Sequence, residues 1–509
     1  MKNTTTRKKK NPRILIVTPE ITYLPHGMGN MYNKMSAKAG GLADVSASLV
    51  GALFRQNADV HVALPHYRKM FQVDTFNLDS ESLRLYTRHL TSNRIHLAED
   101  RIFYYRDSVY SSYERDSFMQ AVAFQREVIN NIIPAVKPDL IHCNDWMTGL
   151  IPAYARRLGI PCLFTVHNIH TQKYSMAALE DRGIDVASFW KHLYFERPPY
   201  NYEESRDSNR VDMLTSGIFA AHYINTVSPT FLKEIVEYRH DFVPDYINNE
   251  IAGKFYANCA RGILNAPDEA ERPETDEFLI ENYNYETFET GKRINKLNFQ
   301  RQLGLIEDPN APILFWPSRL DPIQKGCQLL ADILYKTVER YRHLNLQIAI
   351  VANGPYQNIF RDIVNFHGMY ENVAVCNFAE KLSRIGFAAS DFILMPSKFE
   401  PCGLPQMTSQ FYGTLPIVMN TGGLHDTVTH LNAEANTGNG FVFDNYDSYG
   451  LSWAIDQAVK FYQQPRAVKN QLISRVMREA RDRFNHDRTA GEYIKIYEDM
   501  LKKPLINNF

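Results

Sequence analysis

This sequence of 509 residues has few cysteines, almost no net charge and no long apolar run. Its 6 cysteines include no C-x-x-C pair, which argues against a disulfide scaffold or a zinc ribbon and suits a reducing cytoplasm. The 56 lysines and arginines nearly match the 57 aspartates and glutamates. The resulting net charge of −1 disfavours binding to nucleic acid or to an anionic membrane surface, because both draw on excess positive charge.

No targeting or membrane-spanning segment is expected. The polar and basic start from Thr4 to Lys10 is followed by no apolar stretch before the first predicted strand. It therefore does not resemble a secretory signal and is expected to be a disordered tail. No run approaches the roughly 18 consecutive apolar residues that a transmembrane helix needs. We expect a cytoplasmic protein.

Short apolar runs alternate with longer amphipathic stretches along the chain. The runs are rich in β-branched and aromatic residues and lack polar alternation, as is typical of strands buried on both faces. Between the first two runs, Leu42, Val45 and Leu49 form the apolar stripe of a helix. This alternation predicts an α/β fold with doubly wound parallel sheets. The predicted strands are 13–17, 60–64, 140–142, 162–166, 223–227, 312–316, 347–351, 373–375, 392–395 and 415–418.

The alternation pauses between about 266 and 300, in a charged stretch with prolines and few apolar residues. Such a composition is typical of a linker or a surface crossover. We therefore place a domain boundary there, after residue 266, which divides the chain into two halves of roughly 250 residues. Ligands of doubly wound sheets bind beyond the carboxyl ends of the strands, so two such sheets facing across a cleft are expected to share one ligand.

The segment Lys38–Val45 follows a predicted strand and opens a helix. Gly40 and Gly41 let the backbone approach a ligand closely, and the free N–H groups of a helix start attract an anion. Lys38 adds a positive charge, and Asp44 is placed to accept a hydrogen bond from a ribose hydroxyl. The segment matches neither G-x-G-x-x-G nor a Walker loop, so an ordinary turn is the alternative.

Two further segments place polar side chains just beyond predicted strands. One contains Asp145, and the other contains His167 and Asn168. These residues are candidates for a substrate site at the carboxyl edge of the sheet. They are equally compatible with strand-end caps or hydrogen-bonded core groups.

A loop in the second half contains both Arg319 and Lys325, directly after a predicted strand. Two fixed cations in one loop suit a diphosphate whose negative charge grows as it leaves. A solvated basic loop is the alternative. A second loop contains Glu400, which is placed to accept hydrogen bonds from sugar hydroxyls ahead of a helix that a glycine opens.

Backbone amides are the other candidate donors of the second half. Those near Cys402, Gly403 and Leu404 lie at the start of a helix, where they are placed to cradle a phosphate or a sugar. The segment Thr421–Val428 repeats the same order of strand, glycine and helix.

Eight segments together resemble the bacterial glycogen synthases and plant starch synthases of glycosyltransferase family 5. Their order and approximate spacing agree with that family over residues 13–455. The resemblance implies the GT-B fold, in which two Rossmann-like domains hold the active site in their cleft and a last helix, roughly 487–509, crosses back to the first domain. The segments are Lys38–Val45, His142–Gly149, Val166–Asn168, Ser228–Ile235, Gly262–Asn265, Ser318–Gly326, Pro396–Gln406 and Thr421–Val428.

The resemblance also implies a reaction. Glucose would pass from a nucleotide-glucose, ADP-glucose or UDP-glucose, to the 4-OH at the non-reducing end of an α-1,4-glucan, with retention of configuration. Neither a metal nor another cofactor is implied, because Arg319 and Lys325 would neutralise the leaving phosphate. Lys38 and the amides of Gly40 and Gly41 would assist.

Other residues would hold the sugar and the base. Glu400 would bind the O3 and O4 hydroxyls of glucose, while Asp145, His167 and Asn168 would flank the sugar and the acceptor. Phe378 lies where the family often has a tyrosine that stacks on the base. The remaining substrate-binding candidates in the matching segments are Asp44, Asn265, Cys402, Gly403, Leu404, Thr421 and Gly422.

The chain also departs from the family pattern. The loop with Arg319 and Lys325 is one residue longer than the usual R-L-x-x-Q-K, Pro405 replaces a common threonine, and the loop 21–39 is long. Two alternatives therefore stay open: a related GT-B transferase with another acceptor, and a non-catalytic regulator that binds glucan or nucleotide-sugar. A second long loop is predicted over 196–210; we expect the tyrosines from Tyr194 to Tyr202 to contribute to acceptor binding.

Overall fold

The structure is a computed structural model that describes residues 11–30, 32–71, 93–111 and 113–506. The tail predicted from Thr4 to Lys10 lies outside these residues. The chain divides into two compact units. The first comprises the described residues of Met1–Val227, Leu232–Ile263 and His486–Phe509, and the second comprises Ser228–Phe231 and Leu264–Asn485.

The first unit is built on a parallel sheet that has seven strands in the described residues, in the order β3-β2-β1-β4-β5-β8-β9. Three of its inner strands, β2, β4 and β5, are completely buried, which explains why their sequences are mostly apolar. A separate antiparallel pair joins β6 to β7. The strands are β1 Arg13–Val17, β2 Asp59–Pro65, β3 Ile95–Ala98, β4 Leu140–Asn144, β5 Cys162–Val166, β6 Lys173–Tyr174, β7 Val211–Asp212, β8 Tyr223–Thr226 and β9 Ala260–Gly262.

Helices connect these strands. A π-helical segment, Val128–Ile132, joins two α-helices of the first unit. The helices up to residue 256 are α1 Gly41–Arg55, α2 Arg101–Tyr104, α3 Glu114–Glu127, α4 Ile133–Val136, α5 Ile151–Arg157, α6 Met176–Glu180, α7 Tyr202–Ser208, α8 Met213–Ala220, α9 Pro229–Val236 and α10 Asp245–Tyr256.

The second unit has a parallel six-stranded sheet with the order β12-β11-β10-β13-β14-β15. The strands are β10 Ile313–Trp316, β11 Gln347–Val351, β12 Val373–Cys376, β13 Phe392–Met395, β14 Leu415–Met419 and β15 Phe441–Phe443. The helices are α11 Phe288–Leu303, α12 Cys327–Arg340, α13 Gln357–His367, α14 Glu380–Ala389, α15 Pro405–Phe411, α16 Gly422–Thr427, α17 Ser448–Tyr462 and α18 Arg466–Arg483. The chain then returns to the first unit with α19, His486–Leu501.

Both sheets reverse their strand order beside their first strand. The reversal falls between β1 and β4 in the first unit and between β10 and β13 in the second. At such a point the two loops that leave the carboxyl ends of the strands run in opposite directions and open a crevice, which is the usual ligand site of a doubly wound sheet. The predicted doubly wound α/β architecture is confirmed, and all ten predicted strands are present.

A buried hydrogen-bond chain attaches α19 to the first sheet. Tyr497 Oη lies 2.8 Å from His142 Nδ1, and His142 Nε2 lies 2.6 Å from Thr165 Oγ1. Thr165 donates to Asn225 Oδ1 at 2.6 Å, and Asn225 Nδ2 donates to the Tyr493 hydroxyl at 3.0 Å. Because Thr165 gives its proton to Asn225, its oxygen accepts from His142, so the imidazole carries its proton on Nε2.

Two loop predictions need correction. The stretch 266–300 is not simply an exposed linker, since α11 occupies its end and Asp276, before that helix, is 1% exposed beneath Arg384. The loop predicted over 196–210 contains α7, whose first turn is capped by the Asn201 side chain. None of the described helices is long and apolar enough to cross a membrane.

Candidate functional site

An ion pair between charged side chains stabilises the start of α1, and the backbone of Gly40 there has a conformation that any residue can adopt. Gly40 caps the helix in an extended conformation, with φ −156°. Lys38 Nζ lies 2.9 Å from Asp44 Oδ2, and Thr22 donates to the other carboxylate oxygen at 2.6 Å. Asp44, predicted to bind a ribose hydroxyl, therefore holds the half-exposed Lys38 at the beginning of the helix.

The loop after β1 supplies a carboxylate that the sequence analysis missed. Glu20 is 1% exposed, and its Oε2 accepts hydrogen bonds from the backbone N–H groups of Ala39 (2.7 Å) and Gly40 (3.0 Å). Tyr110 donates to Oε1 at 3.0 Å. Burial raises the pKa of Glu20 despite these donors. The Gly40 amide, predicted to face a phosphate, is thus already bound to a side chain of the same unit.

Asp145 organises the loop beyond β4. It has the left-handed φ of 57° and is 4% exposed. One carboxylate oxygen accepts from the His167 backbone N–H at 2.7 Å, and the other accepts from Asn168 Nδ2 at 3.1 Å. Burial, opposed by these hydrogen bonds, raises the pKa of Asp145 to about 7. The structure therefore brings together three predicted residues from two neighbouring strand ends.

His167 is a neutral imidazole with a defined tautomer. Its Nε2 lies 2.9 Å from Asn144 Oδ1, while Asn144 Nδ2 donates to the Val17 carbonyl at 3.1 Å. The Asn144 oxygen must accept, so His167 carries its proton on Nε2 and leaves Nδ1 as a hydrogen-bond acceptor. Burial lowers the pKa of His167 to about 3. Asn144 was not among the predicted site residues, although it lies directly before Asp145 in a segment that the sequence singled out.

In the second unit, the loops after β10 and β13 are pressed together. Gly326 has φ +69°, and a Cβ there would lie 2.0 Å from the Pro396 carbonyl oxygen. The Lys398 backbone N–H donates to the Gln324 carbonyl at 2.8 Å. Only glycine permits both this φ and this approach at low cost. The contact fixes Lys325, which directly precedes Gly326, against the second loop.

Lys325 and Glu400 form a buried ion pair. Lys325 Nζ lies 2.5 Å from Glu400 Oε2, and their side chains are 11% and 8% exposed. Ser397 donates to the same oxygen at 3.1 Å. Arg319, the other predicted cation of this loop, is exposed, and no described residue of the second unit forms an ion pair with it.

The loop after β14 closes on the Glu400 loop. Gly423 donates its backbone N–H to the Glu400 carbonyl at 2.9 Å. A Cβ at Gly422, whose φ is +46°, would lie 2.1 Å from the same carbonyl oxygen. Thr421 caps α16 in an extended conformation and is 5% exposed. Small residues at the start of α16 thus allow the two backbones to meet.

Asn265 and Cys402 lie together beneath these loops. The Asn265 backbone N–H bonds to the Cys402 thiol, and burial raises the pKa of that thiol to about 12. Asn265 is 6% exposed, and its side-chain oxygen has no hydrogen-bond partner among the described residues. A buried amide oxygen without a donor is unfavourable by about 1–3 kcal/mol, so it is a suitable acceptor for a ligand hydroxyl or amine.

The remaining predicted residues lie at the edges of this group. Gly403 has φ +71°, and Leu404 directly precedes α15. Phe378 is 52% exposed, and its backbone N–H donates to Asn353 Oδ1 at 3.0 Å. An exposed, anchored ring is suited to stacking. Within the described part of the chain, no group of three or more His, Cys, Asp or Glu side chains is arranged to hold a metal ion.

Comparison with known proteins identifies a glycosyltransferase family for each half of the chain. Residues 13–244 match the family described as "Starch synthase catalytic domain", and residues 311–460 match "Glycosyl transferases group 1". The chain is 33% identical over 497 residues to a glycogen synthase of Exiguobacterium sibiricum, covering 90% of this chain and 95% of that protein. It is 32% identical over 495 residues to a glycogen synthase of Clostridium beijerinckii, covering 92% and 96%. The chain belongs to the glycogen synthase family.

A solved structure extends this family assignment to the fold. The catalytic domain of starch synthase IV from Arabidopsis thaliana matches with a TM-score of 0.77 and 27% identity, covering 97% of this chain and 100% of that one. The protein therefore has the GT-B fold and is a glycosyltransferase of glucan synthesis, as the sequence predicted. Three residues that were not predicted also belong to the candidate site. Glu20 accepts from the predicted Gly40, Tyr110 donates to Glu20, and Asn144 bonds to the predicted His167.

Proposed function

We propose that the protein transfers glucose from a nucleotide-glucose, with ADP-glucose as the preferred donor, to the 4-OH at the non-reducing end of an α-1,4-glucan. The observation that carries this proposal is the Lys325–Glu400 pair at the strand-order reversal of the second sheet. Family membership supports the acceptor class. The Arabidopsis starch synthase IV structure, which contains ADP and acarbose, supports an adenine nucleotide and a glucan-like acceptor.

The second unit, approximated by 267–486, is assigned to the nucleotide-sugar. Arg319 and Lys325 supply positive charge for the diphosphate as it leaves, because a guanidinium and an ammonium stabilise the developing negative charge. Glu400 accepts from Lys325 and Ser397 through Oε2. Its Oε1, to which none of the described residues donates, is the acceptor for the glucose O3 and O4 hydroxyls. Phe378 offers its exposed ring to the base.

The first unit, approximated by 1–266 together with 487–509, is assigned to the sugar and the glucan. The Nδ1 atom of His167 accepts a hydrogen bond from a sugar hydroxyl, since Nε2 is committed to Asn144. Asp145 keeps His167 and Asn168 in place through its two carboxylate oxygens. Lys38 is the cation of this unit at the phosphate.

We further propose transfer with retention by front-face attack. The acceptor oxygen bonds to C1 of glucose on the face from which the diphosphate departs, the C1–O bond to phosphate breaks, and a phosphate oxygen takes the acceptor proton. The carboxylate of Glu400 is neutralised by Lys325 and so is poorly suited to act as the nucleophile of a double displacement.

A donor assay on Arg319→Ala tests these roles. One electrostatic donor of this kind contributes about 2.7–4 kcal/mol to the barrier, so kcat is expected to fall by roughly 10²–10³ without loss of the fold. Arg342→Ala is the matched control, because Arg342 is a surface arginine of the same unit with a side chain that is 76% exposed. Near-normal turnover by folded Arg319→Ala would refute the assignment.

Donor and acceptor are separated by two parallel reactions. ADP-glucose and UDP-glucose are offered in competition with a maltooligosaccharide primer, and primer length is followed. Elongation mainly from ADP-glucose is the expected result. Nucleotide release without elongation would favour the alternative of a related transferase with another acceptor, and absence of nucleotide release would favour a non-catalytic binding protein.

A further inference from the structure

A cavity of about 670 Å³ lies in the second unit, away from the candidate site. It is lined by Asp391, Phe392 and Leu415, at the amino ends of β13 and β14. Glu400 and Thr421 follow the carboxyl ends of the same two strands. The cavity is therefore at the opposite edge of the sheet. Its volume is within the range of about 300–1,000 Å³ that is typical of small-molecule sites.

The side chains that line this cavity have an excess of positive charge. Five cations face two carboxylates, so the lining carries a formal charge of +3. The cations come from two helices, α11 and α18, and the carboxylates from α11 and from the residue before β13. They are Lys292, Arg293, Lys296, Arg466 and Lys469, with Glu289 and Asp391.

Three of the cations already have hydrogen-bond or ion-pair partners within the protein. Lys292 donates to the Ser390 carbonyl and to Thr414 Oγ1, each at 2.7 Å. Lys296 Nζ lies 2.7 Å from Asp391 Oδ2. Arg466 forms an ion pair with Glu289. These contacts account for both carboxylates of the lining.

The other two cations have no such partner. Lys469 Nζ donates to the Tyr462 carbonyl at 2.7 Å and lies 4.5 Å from the centre of the Tyr462 ring, but no described carboxylate is within ion-pair distance. Arg293 is exposed, and no described carboxylate pairs with it. Lys469 is partly buried and the lining carries more cations than carboxylates, so the cavity favours a bound anion.

The pKa shifts of Lys292, which is buried, and of Lys469, which is partly buried, agree with this picture. Burial, above all, lowers the pKa of Lys292 to about 7, and the nearby Lys296 ammonium lowers it further against the effect of Asp391. Burial also lowers the pKa of Lys469, with Lys296 acting in the same direction and the carboxylates of Asp391 and Glu289 opposing it. A dianionic group in the cavity would favour the charged form of both lysines.

We propose that this cavity is a second ligand site, which binds a small metabolite through its phosphate group. Arg293 and Lys469 take the phosphate, because a guanidinium pairs two oxygens and an ammonium adds a point charge. The neutral polar side chains of Thr290, Asn310 and Asn470 line the remaining space and suit hydroxyl groups. A sugar phosphate has both features, so it is the expected class of ligand.

Lysine footprinting tests the site in the intact wild-type protein. Glucose 1-phosphate is the probe, and acetylation of each lysine is followed by mass spectrometry. Lys469 is expected to be protected at least fivefold, while Lys460, an exposed lysine on α17, keeps its reactivity. Absence of protection at Lys469 with millimolar glucose 1-phosphate would overturn the proposal, and so would equal protection by neutral glucose.

Inorganic phosphate and two variants complete the experiment. Equal protection by phosphate would support the site and assign its affinity to the phosphate group alone, whereas weaker protection would support a sugar phosphate. In isothermal titration with glucose 1-phosphate, Arg293→Gln should weaken binding by about 10- to 100-fold, the loss expected for a charge-assisted hydrogen bond. Arg301→Gln, on the same helix but outside the cavity, should bind like wild type; unchanged affinity in Arg293→Gln would overturn the proposal.

Discussion

Replacing Lys325 with alanine should destabilise the second unit through the charge it leaves behind. The Glu400 side chain is 8% exposed, and its Oε2 has two donors, the Lys325 ammonium at 2.5 Å and the Ser397 hydroxyl at 3.1 Å. The variant keeps only the hydroxyl. Because the carboxylate stays buried without a counter-charge, Lys325→Ala should cost about 3–5 kcal/mol, the usual effect of removing one partner of a buried ion pair.

The remaining Ser397 donor places the expected loss near the lower figure of about 3 kcal/mol. For a unit of this size, each kcal/mol shifts the melting temperature by about 2–4 °C, so a decrease of about 6–12 °C is expected in scanning calorimetry. The double variant Lys325→Met with Glu400→Gln should recover most of that loss, because neither charge is then buried. Arg301→Ala, which breaks an exposed ion pair with Glu307 in the same unit, should leave the transition in place.

A Lys325→Ala transition within roughly 2 °C of wild type would refute a stabilising role for the ion pair, since the pair would then contribute no more than an exposed one. A double variant that melts as low as the single variant would also refute it. In that case the loss would arise from packing of the lysine stem rather than from an unpaired Glu400.

Three further predictions concern backbone, pH and glucan binding. Gly326→Ala should lower both kcat and the melting temperature, because its Cβ would lie 2.0 Å from the Pro396 carbonyl oxygen. Gly304→Ala, which has a similar φ but open space around the Cβ, should lower only the melting temperature; an equal fall in kcat in both variants would contradict this. His142 has a native pKa of about 3 against about 6.5 when unfolded, so its contribution is present above pH 6.5 and is lost as pH falls. Between pH 7 and pH 4.5, the wild type should therefore lose about 2–3 kcal/mol more unfolding free energy than His142→Gln. Urea titrations at the two pH values measure these losses, and equal losses in both proteins would contradict the prediction. Tyr200→Ala, which removes a ring that is 86% exposed, should raise KM for glucan at unchanged kcat, and an unchanged KM would remove this tyrosine from acceptor binding.

The strands that could be predicted from sequence are those buried on both faces. β5, β11 and β13 have mostly apolar sequences and were predicted with their observed bounds. β3, β9 and β15, at the edges of their sheets, were missed. β3 and β9 contain polar side chains, and the apolar run of β15 has only 3 residues, so none shows a run long enough to mark a strand. The two-residue strands β6 and β7 were missed as well.

The candidate site shows a similar division. Motifs confined to one loop, such as the loop with Lys325, could be found because their chemistry is contiguous in sequence. Glu20 could not, because its function depends on a loop that folds back to place its carboxylate at the Ala39 and Gly40 amides. A lone glutamate in a polar loop carries no periodic or spacing signal. The same holds for Tyr110, which reaches Glu20 from 90 residues away.

The sequence also did not indicate which side chains of the candidate site pair with one another. Asp44 was predicted to bind a ribose, yet the structure pairs it with Lys38 at 2.9 Å. Lys325 and Glu400 were predicted to bind different parts of the donor, yet they share a 2.5 Å contact. Such pairs depend on tertiary distances, which residue type and spacing do not specify.

The central claim is that an activated glucose is transferred, with retention, to the non-reducing end of an α-1,4-glucan. Proton NMR of a maltooligosaccharide primer incubated with the enzyme and ADP-glucose tests it most directly. We expect the α-1,4 anomeric signals to grow at the rate at which ADP appears. Formation of β-linked products, or ADP release without new glycosidic signals, would contradict it.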